Sequence, residues 1–162
     1  MRTSIGVIAI CLIVSGCRRT ENGASTFSVP DGVTHESKTS PEWHAFHWGD
    51  SEETALFMIS PHPAGLSESM VHGMAAQTAK LLEPDLKALE EVESVVKICS
   101  DISVGRFSGR QVDFLVTTKD GKALHQCIYI LWDGERVWQG GLTGPKDSDI
   151  AMVHRILRSR AN

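Results

Sequence analysis

QVDFLVTTKDGKALHQCIYILWDGERVWQGGL, residues 111–142, is the stretch on which the fold of this chain turns. It holds two Asp-Gly pairs, Asp120-Gly121 and Asp133-Gly134, each set between runs of β-branched and aromatic residues. Asp-Gly is a strong short-range hairpin signal, because tight primed turns need positive φ. The stretch therefore predicts strands over residues 111–118, 124–132 and 136–142, joined as an antiparallel meander. Upstream, residues 95–104 read as another strand, with the turn at 105–109. Downstream, a helix starts near Asp147, with Ile150, Val153 and Leu157 on one face and Arg155, Arg158 and Arg160 where a helix C-terminus favours cations.

Toward the N-terminus the period changes. Ser67 is a fair N-cap for a helix to about Leu82, with Leu66, Met70, Met74 and Leu81 as its apolar stripe and Val71, Ala75 and Leu82 beside them. Pro84 is expected to end that helix and open a short second one, with Leu86, Leu89 and Val92 facing inward. Residues 43–48, Trp-His-Ala-Phe-His-Trp, fit a strand with His44, Phe46 and Trp48 on one face and Trp43, Ala45 and His47 on the other. A helix from Ser40-Pro41-Glu42 is the alternative. Residues 54–59 make the next strand. Phe27-Ser28-Val29 reads as a short first strand before the turn residues Pro30-Asp31-Gly32, and residues 35–40 as polar loop. The sum is an α+β fold: a mostly antiparallel sheet covered by helices.

The chain opens with Arg2 and a continuous apolar run over residues 5–14. That length suits a signal peptide and falls short of the ~20 apolar residues that span a bilayer. Ser15 and Gly16, both small, precede Cys17. Val14-Ser15-Gly16-Cys17 resembles the lipobox of bacterial lipoproteins. The resemblance implies cleavage after Gly16 and a diacylated, often N-acylated Cys17 bearing palmitate-type chains. Two or more chains suffice for stable anchoring, where one does not. The expected organisation is a signal peptide over residues 1–16, a lipidated tether over 17–25 and a single domain over 26–162. Arg18 stands where Asp would mark inner-membrane retention, which points to the periplasmic face of the outer membrane in a Gram-negative host.

Losing the leader removes only Arg2 among charged residues, so the net charge moves from −4 to −5. A mildly acidic domain with no basic stripe excludes nucleic acid as a natural partner and leaves membrane attachment to the lipid. With Cys11 in the leader and Cys17 lipidated, Cys99 and Cys127 remain. An exported compartment favours a disulfide between them. A simple meander opposes it, since strands two apart stand ~10 Å from each other, beyond the ~7 Å Cα limit. A different sheet order would permit the bridge. His125 shares a strand face with Cys127, which allows a Cys–His pair, but no third orienting group is apparent in the sequence.

His44, His47 and His62 are the candidate metal ligands. A zinc or copper site needs three or four convergent donors, and a strand sends His44 and His47 to opposite faces. No phosphate loop, nucleophile elbow or Cys-x-x-Cys motif occurs. No catalytic residue and no cofactor are expected.

Residues 27–32, Ile102-Ser103-Val104-Gly105, and Val137-Trp138-Gln139-Gly140-Gly141-Leu142-Thr143-Gly144-Pro145 before a terminal helix are together similar to the PsbP-like, DcrB-type α/β/α sandwich proteins. The chain departs from that pattern at Gln139 and Gly140, where aromatics are usual. The resemblance implies an α/β/α sandwich and a non-enzymatic binding or assembly role, with no catalytic residues to carry over. The sequence thus points to a lipid-anchored module of the cell envelope that binds an unknown protein partner. The alternative is a periplasmic metal-binding protein using the histidines around 44–62.

Overall fold

The computed structural model describes residues 27–50, 53–63 and 65–160. The expected signal peptide, its cleavage point and the expected lipidation site Cys17 lie outside the described residues. Seven strands form one antiparallel sheet: β1 (Thr34–Thr39), β2 (Glu42–Trp48), β3 (Ala55–Pro61), β4 (Val92–Val104), β5 (Phe107–Thr118), β6 (Ala123–Trp132) and β7 (Val137–Gly144). Their order is β1-β2-β3-β7-β6-β5-β4. Two helices complete it, α1 (Val71–Lys87) and α2 (Asp147–Arg158). The fold class is α+β, as the sequence predicts.

Alternation along the strands sorts the core into two layers. Val112, Phe114 and Val116 of β5 and Ile128 and Ile130 of β6 pack with Val71, Ala75, Ala79 and Leu86 of α1. Cys127, Tyr129 and Leu131 of β6 face the other way, with Phe46, Phe57, Trp138 and Leu142, against Val153, Ile156 and Leu157 of α2. Each helix therefore covers its own face of the sheet.

Four expectations are corrected. Residues 35–40 do not form a loop: Thr34–Thr39 pairs along its length with β2, from Thr34 opposite His47 to Thr39 opposite Glu42. It is a polar edge strand, held by backbone hydrogen bonds and not by burial, so no apolar alternation announces it. Phe27, read as part of a strand, makes only an isolated bridge to Arg160. The β4–β5 turn is tighter than 105–109, with Val104 already paired to Phe107.

The fourth concerns α1, which runs through Pro84 instead of ending there. Proline in a helix interior removes one hydrogen bond and crowds the carbonyl four residues back. Burial of Leu86 on the same face as Ala75 and Ala79 outweighs that loss. The buried stripe is also rotated from the expected one: Leu81 is 68% and Met70 44% exposed. Small Ala75 and Ala79 let the helix sit close on β5 and β6, whereas the sequence reading favoured bulk.

The Asp-Gly turns are where the sequence places them, in a different form. Gly121 and Gly134 have φ of 82° and 97°, and among the described residues only glycines have positive φ. Neither aspartate takes the left-handed conformation that a turn with two positive-φ residues would require.

Candidate functional site

Asp113 of β5 stands directly opposite Cys127 of β6, and Leu115 opposite His125. The alternation that sends Val112 and Phe114 to α1 sends Asp113 to the α2 side, where Cys127 and His125 also point. Asp113 is 6% exposed, His125 5% and Cys127 fully buried. His125 Nδ1 lies 3.1 and 3.0 Å from the two carboxylate oxygens of Asp113. The Cys127 thiol donates to Asp113 Oδ1 at 3.1 Å. One donor atom from each of the three residues lies within 4.8 Å of the others. Among the described residues Asp113 has no other side-chain partner, so a buried carboxylate faces only an imidazole and a thiol.

The N-terminal turn of α2 closes the site. His125 Nε2 meets Asp147 Oδ1 at 2.7 Å, and the Asp147 side chain is 97% exposed. Asp149 accepts the Trp48 indole N–H at 2.7 Å through one oxygen and the Lys146 backbone N–H at 2.9 Å through the other. This carboxylate fits because residue 144 is glycine: a Cβ there would lie 2.5 Å from Asp149 Oδ2. Gly144 itself pairs with His125. The Leu-Thr-Gly ending of β7 thus makes room for the start of α2. Gly140, where the resemblance would place an aromatic, has the Phe57 ring 3.1 Å from the position of an added Cβ. Phe57 fills that space from β3.

The Cys127 thiol is pushed far above the ordinary thiol range, first by burial and then by the Asp113 charge. That is the opposite of an activated nucleophile, which needs an electropositive surrounding. His125 therefore does not serve Cys127 as a base; both address Asp113. Beyond them, the Tyr129 hydroxyl is buried against the Cys127 thiol, with which it interacts without a well-formed hydrogen bond.

Cys99 and Cys127 are both free, Cys99 exposed on β4 and Cys127 buried on β6. Strand β5 lies between them. The register also opposes a bridge: Cys99 is opposite Val112, on the α1 face, while Cys127 is on the other. The disulfide is not formed.

His44, His47 and His62 do not converge. His44 is buried at 5% exposure, with Nδ1 3.1 Å from His35 Nε2 and Nε2 3.4 Å from Glu42 Oε1. His35 stacks on Phe46 at 4.4 Å between ring centroids. Its pKa is lowered by burial and by His44 beside it. His47 points to the opposite face of β2. His62 lies past β3, its backbone N–H donating to Val137 at 2.8 Å. Sequence reasoning missed Asp113. Its signal was an aspartate between Val112 and Phe114 in mid-strand, where aspartate is depleted.

No family model and no curated protein matches this chain. Among solved structures, the crystal structure of LpqN, involved in cell envelope biogenesis of Mycobacterium tuberculosis, overlaps with it. The two are 16% identical, with 83% of this chain and 79% of that one covered at a TM-score of 0.43. An overlap this loose carries no function across.

Proposed function

We propose that this chain is a bacterial cell-envelope lipoprotein, anchored through lipid on Cys17, whose folded domain is a non-catalytic binding or assembly module of the PsbP-like kind. The observation that carries the reading is Val14-Ser15-Gly16-Cys17 at the end of an apolar run of signal-peptide length. Three further features support it. No helix among the described residues is long and apolar enough to cross a membrane. The Cys127 thiol is held protonated against a carboxylate, which speaks against thiol catalysis. A helix on each face of an antiparallel sheet supports the sandwich type.

The test is fractionation of cells making the wild-type chain or Cys17→Ser. Wild type should sediment with membranes and leave them only with detergent, and Cys17→Ser should be lost from that fraction. A variant that fractionates like wild type removes the lipid anchor from the account.

A further inference from the structure

We propose that Asp113, His125 and Cys127 bind one divalent transition-metal ion of the zinc class. Imidazole nitrogen, carboxylate oxygen and thiolate sulfur form the mixed donor set that zinc accepts, whereas calcium and magnesium take oxygen alone. The spacing fits. Zinc bonds of ~2.0 Å to N and O and ~2.3 Å to S put tetrahedral donors about 3.3–3.5 Å apart. His125 Nδ1 and Cys127 Sγ each lie 3.1 Å from Asp113 Oδ1 and need to move out by only a few tenths of an ångström, and the donor atoms of the three residues lie within 4.8 Å of one another.

Two independent features point to a ligand. The first is His125, whose Nδ1 faces the other two donors while Nε2 is held by Asp147 at 2.7 Å. A metal-bound histidine commonly donates its remote N–H to a carboxylate in this way, which fixes the tautomer and strengthens the ligand. The second is the fully buried Tyr129 hydroxyl, which interacts with the Cys127 thiol without a well-formed hydrogen bond. A buried hydroxyl left poorly satisfied is costly. A thiolate held by an ion is a stronger acceptor for it than a thiol. Binding exchanges the thiol proton and the proton between His125 Nδ1 and Asp113 for the ion, while Nε2 keeps its proton for Asp147, and both displaced protons leave to solvent. This site stands apart from the anchor, because Cys17→Ser leaves all of its residues in place.

The experiment titrates zinc(II) and cobalt(II) into the chelator-stripped full-length protein in detergent. One equivalent of each should bind, zinc should raise the unfolding temperature, and cobalt should give thiolate-to-cobalt charge-transfer absorption. Cys127→Ser should abolish that absorption and weaken zinc binding by at least about tenfold, while Cys99→Ser should change neither. Asp147→Ala, a change at an exposed side chain, guards against a Cys127 variant that does not fold. It should weaken zinc binding about 10–100-fold. Wild type that binds no zinc overturns the site and leaves a buried His125–Asp113 hydrogen bond. Absorption lost in Cys99→Ser and kept in Cys127→Ser also overturns it, as does undiminished zinc affinity in Asp147→Ala.

Discussion

Asp133, the residue that opens the β6–β7 turn, has a fully buried carboxylate that ties together parts of the chain distant in sequence. It accepts the Trp138 indole N–H at 2.7 Å and the backbone N–H groups of Arg136 and Glu135 at 2.8 and 2.9 Å. It also pairs with Arg160, whose guanidinium lies over the Trp138 ring at 4.3 Å. Burial pushes the Asp133 pKa up, but these hydrogen bonds, that of Arg160 foremost, outweigh it and bring the value from 3.8 to about 2. A carboxyl depressed in the folded state stabilises it fully above the unfolded pKa and progressively less as pH falls through the folded one. Asp133 should therefore contribute ~2 kcal/mol above about pH 4 that is lost toward pH 2. Asp133→Ala removes the buried carboxylate shared by Arg160, the Trp138 indole and two backbone N–H groups, and should cost about 3–5 kcal/mol at neutral pH. Urea unfolding at pH 7 and pH 3 checks both points: the gap between wild type and Asp133→Ala should narrow at the lower pH. A gap that widens there contradicts the assignment.

At the scale of elements, the meander was legible and its edges were not. Strands β5, β6 and β7 follow from the two Asp-Gly turns because both faces of those strands are buried, and burial writes itself into composition. Strand β1 left no such trace, since Thr34–Thr39 is almost wholly exposed and exists by pairing with β2. The candidate site was half legible. Cys127 and His125 on one face follow from period two, but Asp113 joins them only once register sets it opposite Cys127. No local pattern encodes a contact across strands. Helix α1 shows the converse, a local signal overridden by packing. Pro84 sits inside a helix whose buried stripe continues to Leu86. Proline is about 3 kcal/mol less favourable than alanine in a helix interior, an amount partly offset by its stiffening of the unfolded chain. Pro84→Ala should accordingly stabilise the protein by about 1–3 kcal/mol, read as a higher denaturant midpoint with an unchanged slope. A lower midpoint would show that the proline shapes the helix in a way the native packing requires.

For the whole molecule, the proposed function divides the work between the described domain and the segment around Cys17. The described domain closes on itself, with Phe27 bridged to Arg160 and Arg160 paired to Asp133, so the first and last described residues lie side by side. Net acidity gives little electrostatic attraction to an anionic membrane, so under the proposed function attachment would fall to Cys17. The central claim is thus about the mature N-terminus, and intact-mass and peptide mass spectrometry of the protein isolated from membranes tests it most directly. The account predicts a chain that lacks residues 1–16 and begins at Cys17 with diacylglyceryl mass on its sulfur. A mature chain that begins elsewhere, or one whose Cys17 carries no lipid, would contradict it.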